Sequence, residues 1–255
     1  CIKQVPDTSQ VKIDPITKNL VREGVQSIIN PYDLYAIEEG VKLIEKHGGK
    51  VTAISMGPPQ AEGALREAIS LGCDEGVLIS DRAFAGADTL ATSYTLAMAV
   101  KKVKDFDIII CGKQAIDGDT AQVGPGIAAH LDIPQITYVR KIEDSGGNAL
   151  VAQRTIEEGY EVLKAPLPCL ITVVKEINKP RIPSLKGKMK ARKAEIIKWS
   201  AEDLDAESGR LGITGSPTEV GKIYTPPPRV KGRIFDGDTE DAVNTIVNEL
   251  KGRLI

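Results

Sequence analysis

The chain has 255 residues, 42% of them hydrophobic and 27% charged, which suits one large globular domain or a domain with an appendage and excludes wholesale disorder. Its 33 basic and 35 acidic residues leave a formal charge of −2, so it is not a general polyanion binder, and 4% aromatics give little material for base stacking. Apolar runs of four to six residues fall far short of the about 20 needed to cross a bilayer, and no signal peptide is visible.

The opening Cys1-Ile2-Lys3-Gln4-Val5 reads as the tail of a strand with residues before it. Val11–Asp14 and Leu20–Arg22 then form a small hairpin about a turn containing Pro15. Asn30-Pro31 opens a helix, with an N-cap amide, proline at the first helical position and Asp33 favouring the positive end of the dipole. Leu34, Ile37, Val41 and Ile44 share its inner face, and Gly48-Gly49 ends it. A buried strand at 51–55 leads through Gly57-Pro58-Pro59 to a helix carrying Leu65, Ala68 and Ile69, stopped at Gly72. Residues 76–80 are the next strand, Asp88 caps a helix reaching Lys104, and 107–111 is the most strand-like run. A helix from Thr120 to Leu131 leads into a strand at 135–139. Residues 149–163 and 169–174 read as an apolar-alternating pair about Pro166 and Pro168 that extends the sheet antiparallel.

Wholly apolar strands separated by helical stretches mean βαβ units and a parallel sheet covered on both faces. The predicted fold is α/β, a doubly wound, mostly parallel, Rossmann-like sheet with added β-hairpins. The predicted division is a nucleotide-binding domain over 1–200 and a C-terminal arm over 201–255. Between Glu176 and Glu195 every charge is basic: Lys179, Arg181, Lys186, Lys188, Lys190, Arg192 and Lys193. Residues 205–237 carry glycines and Pro226-Pro227-Pro228 without long periodicity. Asp238 then caps an amphipathic helix with Ala242, Ile246 and Leu250 on one side, which packs either on a partner or back on its own sheet.

Parallel α/β sheets bind ligands beyond the carboxyl ends of their strands, where loops meet helix starts. The junctions there are Lys3–Val5, Ser55–Gln60, Ser80–Asp88 and Cys111–Thr120. The last, G-K-Q-A-I-D-G-D-T, reads either as an ordinary acidic loop or as a phosphate cradle of backbone N–H groups. Asp117 and Asp119 repel a diphosphate and suit helix capping or ribose hydroxyls, whereas Thr120 and nearby amides suit phosphate. In S-D-R-A-F-A-G-A-D-T-L-A-T-S, Arg82 offers a fork for phosphate, with Thr89, Thr92 and Ser93 in the first turns of the helix after Asp88. Gly124-Pro125-Gly126-Ile127-Ala128-Ala129 fits G-x-G-x-x-A in letters only, because it lies inside a helix rather than at a strand end. There is no Walker A sequence and no nucleophile–base pairing, and His47 and His130 read as structural. Cys1, Cys73, Cys111 and Cys169 show no C-x-x-C and no metal-ligand grouping, so they read as small buried hydrophobes in a reducing, cytoplasmic setting, with no metal site. Any chemistry belongs to a bound cofactor, and no side chain is assigned as catalytic.

Several segments in order carry a family resemblance: K-Q-V-P-D (3–7), N-P-Y-D (30–33), S-M-G-P (55–58), G-K-Q-A-I-D-G-D-T (112–120), A-Q-R-T-I-E-E-G-Y-E-V-L-K-A-P-L-P-C-L-I-T (152–172) and K-M-K-A-R-K (188–193). Over essentially its whole length the chain resembles the β (small) subunit of electron transfer flavoproteins. The resemblance implies a heterodimer with an α subunit, an FAD on α, a nucleotide held in β and a C-terminal arm that embraces α. By position it places the nucleotide against Cys1, Lys3, Asn30, Tyr32, Asp33, Met56, Gly112, Lys113, Gln114, Asp117, Gly118, Asp119, Thr120, Gln122 and Val123. Arg82, Asp88, Thr89 and Thr92 join them from the second loop. It also implies that Leu185, Lys186, Lys188, Lys190 and Arg192 dock a flavin-dependent dehydrogenase, of acyl-CoA dehydrogenase or lactate dehydrogenase type. The loop at 80–93 and D-G-D-T-A-Q-V-G-P are similar to the electron-bifurcating group. There β holds a second FAD that takes hydride from NADH, and the electrons divide between ferredoxin and the α-subunit FAD. Conventional members hold AMP in β instead and relay electrons from acyl-CoA dehydrogenases. Gly118 removes bulk and charge where conventional members often carry Asp. A stand-alone adenine-nucleotide sensor and an RNA-binding protein using the 177–194 charges are the rivals from other classes. Nucleic acid is not the expected partner, given the scarcity of aromatics.

Overall fold

The computed structural model describes residues 1–7, 12–13, 20–21, 26–221, 232, 234–235 and 237–251. The chain divides into a compact unit Cys1–Gly221 and a second unit Lys222–Ile255. In the first, β1 (Gln4–Pro6) pairs antiparallel with β4 (Ser27–Ile29). The expected early hairpin is β2 (Lys12–Ile13) with β3 (Leu20–Val21), while its Pro15 turn lies outside the described residues.

Two sheets form the body. Strands β5 (Thr52–Met56), β6 (Glu75–Ile79) and β12 (Ile196–Trp199) lie parallel in the order β12-β6-β5. The larger sheet holds β7 (Ile108–Gly112), β8 (Gln135–Asp144), β9 (Ala149–Ile156), β10 (Gly159–Pro166) and β11 (Cys169–Val173), in the order β10-β9-β8-β11-β7. Strand β11 is parallel to both β7 and β8, and β8-β9-β10 continue as an antiparallel meander. Residues 1–2 bridge the two sheets: Cys1 N–H donates to Ile110 O at 2.8 Å and Ile2 N–H to Ile54 O at 2.9 Å.

Helices cover both faces because successive strand residues point to opposite sides. Ile54, Val77, Ile79, Ile109 and Leu170 pack with α3 (Thr89–Val103) and α4 (Val123–Leu131) through Tyr94, Ala97, Val100 and Ile127. Ala53 and Leu78 face the other way, toward Ile37 and Val41 of α1 (Pro31–His47) and Leu65 and Ile69 of α2 (Glu62–Leu71). Helix ends follow the sequence signals. Gly48 at φ 77° and Gly72 at φ 128° close α1 and α2, and the Asp88 side chain accepts from Leu90 and Ala91 N–H at the start of α3.

Four expectations need correction. Helix α4 starts at Val123, not Thr120, because Asp119 and Ala121 take left-handed φ of 55° and 54°. The run 149–163 is two strands, β9 and β10, turned at Gly159 (φ 112°). Residues 169–173 do not extend the sheet antiparallel; β11 sits between two parallel neighbours at its centre, which explains why all five of its residues are buried. The basic stretch also conceals α5 (Leu185–Lys193), followed by β12 on the sheet edge. Ala191 is buried against α2, and a Cβ at Gly187 would stand 2.2 Å from Ser70 O, so only glycine permits this approach.

In the second unit, α6 (Thr239–Lys251) is capped as expected, with Asp238 Oδ1 accepting Glu240 N–H at 2.9 Å. It has no buried residue; Val243, Ile246, Val247 and Leu250 are all exposed. Among the described residues no helix is long and apolar enough to cross a membrane.

Ile171 is fully buried on the central strand. Ile171→Ala should therefore lower the unfolding free energy by about 2–5 kcal/mol, read as an earlier midpoint in urea denaturation with an unchanged slope.

Candidate functional site

The carboxyl ends of β7 and β11, the segment 1–3 and the starts of α1, α3 and α4 converge on one region. Its centre is Asp33, buried in the first turn of α1. Its Oδ2 accepts Lys3 N–H at 2.7 Å and its Oδ1 accepts Asn30 Nδ2 at 3.0 Å, with a further bond from Gly112 N–H. Gly112 is required there, since a Cβ would lie 2.3 Å from Asp33 Oδ1 and 2.7 Å from the Tyr32 carbonyl carbon. Burial pushes the Asp33 carboxyl up from its ordinary 3.8 to about 6 against those three donors.

Asn30 does not act as the side-chain N-cap that Asn-Pro suggests. Its amide reaches across the site: Nδ2 donates to Gln114 O at 2.9 Å and Oδ1 accepts Ile116 N–H at 3.1 Å. One side chain thereby fixes the loop after β7. Within that loop Gln114 Nε2 donates to Asp119 Oδ1, and Lys3 Nζ pairs with Asp117 at 2.8 Å. Residues Asp117–Thr120 are exposed at its tip, and nothing lies within 4 Å of a Cβ at Gly118. Lys113 Nζ stands over the rings of Tyr32 (6.0 Å) and Tyr138 (5.3 Å). Tyr138 was not among the expected residues. It takes a φ of 56° and bonds Thr172 Oγ1 through its N–H, and I-T-Y-V inside a strand carries no signal for that.

The second loop joins the first through Thr89 Oγ1, which donates to Gln122 Oε1 at 2.9 Å. Asp88 does not face open space. Its Oδ1 caps α3, and its Oδ2 accepts Thr218 N–H at 3.2 Å and Thr218 Oγ1 at 2.8 Å. Partial burial opposes its charge, but the bonds from Ala91, Thr218 and Leu90 hold its carboxyl below the usual range. Thr92 is half-buried in the first turn of α3, and Arg82 is exposed in a short turn whose cap is Asp81. Met56 and Cys1 are half-buried and pack on the core beside α3 and α4.

The helix starts differ sharply in charge. Asp33 occupies the first turn of α1, and Asp88 caps α3. Helix α4 has no side-chain cap and no acid in its first turn, because Gln122 is turned to Thr89. The N–H groups of Val123 and Gly124 and the helix dipole have no carboxylate beside them in that first turn, where Pro125 has no N–H and the Gly126 N–H bonds Gln122 O. The two glycines of that helix serve packing. A Cβ at Gly124 would meet Thr172 at 2.7 Å, and one at Gly126 would meet Ser93 at 2.6 Å.

No group of His, Cys, Asp and Glu able to hold a metal occurs among the described residues. The four cysteines are free; burial pushes the thiols of Cys73 and Cys169 up to about 12 and about 11, so they stay protonated. Away from the crevice, α5 starts on Leu185, 78% exposed, with Ser184 Oγ accepting Gly187 N–H at 3.0 Å. Ile182 and Met189 are also exposed, and Lys186, Lys188 and Arg192 lie on the surface beside them. Lys190, also exposed, donates to Cys73 O at 3.0 Å.

Residues 17–204 match the model of the electron transfer flavoprotein domain. The chain is 54% identical, over 99% of its length and 96% of the relative's, to an electron transfer flavoprotein subunit beta of Thermoanaerobacterium thermosaccharolyticum. It is 47% identical to the caffeyl-CoA reductase-Etf complex subunit CarD of Acetobacterium woodii, over all of this chain and 95% of that one. It is 46% identical to protein FixA of Sinorhizobium fredii, over 98% and 90% respectively.

Between the ordinary 3.8 and about 6, native Asp33 keeps a proton that the unfolded chain has released, so this group's contribution to stability falls as pH rises through that window and is constant above it. Asp33→Asn should abolish that dependence. In denaturant titrations from pH 3.5 to 7.5, wild type should lose about 3 kcal/mol relative to the variant across the window.

Proposed function

The chain belongs to the electron transfer flavoprotein family as a β subunit, and we propose that it holds an adenine dinucleotide, FAD, at the tips of β7 and β11 in an electron-bifurcating complex. The observation that carries this reading is the uncapped, acid-free start of α4, the one helix start of the three around the crevice not already neutralised by a carboxylate. A diphosphate is the anion that suits it.

The residues present fit such a group. First-turn N–H groups of α4 and the Thr120 hydroxyl would take the diphosphate. Asp119 and Ala121 take left-handed φ just before the helix, with the Asp119 N–H bonded to Ala115 O at 2.8 Å inside the loop. Asp117 and Asp119, exposed at the tip, would accept ribose hydroxyls, with Lys3 balancing Asp117. Gly118 leaves open space in which neither bulk nor charge opposes the phosphates. Asn30 and Asp33 would hold the loop in register from beneath, and Tyr32, Lys113 and Met56 would border it. Bound there, FAD supplies hydride acceptance from NADH and one-electron delivery to ferredoxin and to the FAD of the α subunit. The chain's own contribution is to bind, orient and exclude water; no side chain here acts as acid or base. The D-G-D-T loop supports FAD over the AMP of conventional members, and the likeness to a subunit of a caffeyl-CoA reductase-Etf complex supports a place in a larger complex of bifurcating type.

The partner surfaces follow from exposed apolar groups. The exposed side of α6 would pack on the α subunit, as part of an arm that we place over 201–255, after a nucleotide-binding domain at 1–200, the arm's residues to Gly221 lying in the compact unit. The dehydrogenase would dock on Leu185, with Lys186, Lys188 and Arg192 ringing it and Lys190 bracing the helix. Both would operate in the cytoplasm.

Extraction of the co-expressed αβ complex, with each nucleotide identified by chromatography, should yield two FAD per heterodimer and no AMP. One FAD with one AMP would instead assign the conventional reading. Leu185→Ala should raise the KM for the partner dehydrogenase about tenfold, the cost of losing a buried anchor, while nucleotide content stays unchanged.

A further inference from the structure

Residues 207–218 lie far along the chain from the crevice, yet they are bonded to two of the helices that border it, α3 and α4. Arg210 lays its guanidinium 3.7 Å over the Tyr94 ring of α3 and places Nη2 3.4 Å from His130 Nδ1 of α4. Tyr94 and His130 themselves meet edge to face at 5.6 Å, and the Tyr94 hydroxyl accepts Glu207 N–H at 3.0 Å. Leu211 is buried, and Ile213 N–H donates to Ala85 O at 3.0 Å. Gly212, at φ 52°, approaches so closely that a Cβ would stand 2.2 Å from Ala83 O.

The strap ends on the α3 cap. Ser216 Oγ accepts Asp88 N–H at 2.8 Å and donates to Gly212 O at 2.7 Å, and Thr218 bonds Asp88 Oδ2 twice. Beyond Asp88, the next residue, Thr89, donates to Gln122, the residue before α4. A continuous series therefore runs from Thr218 and Ser216 through Asp88 and Thr89 to the bare helix start. Between strap and helices a cavity of about 260 Å³ opens among Leu90, Tyr94, His130 and Pro217. The strap is held beside it by these polar bonds together with the buried Leu211 and the close approach of Gly212.

We infer that residues 207–218 are a positioning strap for the nucleotide crevice: Ser216 and Thr218 fix Asp88, and Arg210 fixes the spacing of α3 and α4, so that the α4 start and the 112–123 loop are preset for their ligand. This inference rests on the proposed reading of that crevice as the seat of an adenine nucleotide. The strap touches no part of the 112–123 loop through Ser216 or Thr218; it acts through Asp88. Pre-setting both loops removes ordering entropy from binding, so releasing the strap speeds ligand loss without removing any group that contacts the ligand.

The test uses the purified αβ complex carrying Ser216→Ala with Thr218→Val, and Thr218→Ser as the conservative control. Two quantities are followed: the rate at which the co-purified adenine nucleotide of β is lost on dilution, and amide hydrogen exchange. The double variant should lose nucleotide about tenfold faster, a change of 1.4 kcal/mol. Its exchange should rise at 85–88, 118–124 and 213–218, with the rest of the sheet unchanged, and Thr218→Ser should behave as wild type. A strap freed by exchange but with wild-type nucleotide loss overturns the inference, as does unchanged exchange in the double variant. A wild-type complex with no β-held adenine nucleotide overturns the functional reading alone. Exchange at 118–124 then decides the strap: a rise supports it and no change refutes it.

Discussion

A single buried carboxylate organises this protein's candidate site. Asp33 gathers the N–H of Lys3, the amide of Asn30 and the N–H of Gly112, drawing the N-terminal segment, the start of α1 and the end of β7 into one point. Without that carboxylate the Lys3 N–H would be a partly buried donor left unpaired, at a cost of about 1–3 kcal/mol. Burial raises the carboxyl's affinity for a proton, while three donors and the positive end of a helix favour its charge. Everything at the strand tips is arranged about that balance. The Asn30 amide, held by Asp33 on one side, clamps Gln114 and Ile116 on the other.

From this node follows a division of labour among helix starts. The dipoles of α1 and α3 are satisfied internally, by Asp33 and Asp88, so those helices serve as fixed walls. Only α4 presents an unanswered positive end to the crevice, and its glycines let it sit hard against β11 and α3. A site of this kind needs no reactive side chain, which agrees with the protonated thiols and with a family whose chemistry belongs to flavins. The same fold sets the α5 helix on the outside through Gly187 and Lys190, so that its apolar tip is displayed rather than buried.

Much of the fold was legible because local rules and global packing agree. Asp88, Gly48 and Gly72 mark helix ends by capping chemistry, and Val77-Leu78-Ile79 alternates between two covered faces as a parallel strand must. Lys3 and Thr89 each reach the loop after β7, through Asp117 and Gln122. What could not be read were choices made by partners distant in sequence. Asn30-Pro31 is spelled like an N-cap, yet the amide goes to Asp33 and to residues 114 and 116, the latter more than 80 residues away in the chain. Ile196–Trp199 is too short, after a basic run, to announce an edge strand. The strap is still less legible, since Ser216 and Thr218 find Asp88 across 128 and 130 residues through single hydroxyl groups.

The account stands or falls on which helix start receives the nucleotide. Amide chemical-shift and hydrogen-exchange mapping of the αβ complex, stripped of β-held nucleotide and then resupplied with FAD, addresses this directly. Protection should appear at 118–124 and leave Leu90 and Ala91, already bonded to Asp88, unaltered. Protection centred on Leu90 and Ala91, or none at either helix start, would contradict it.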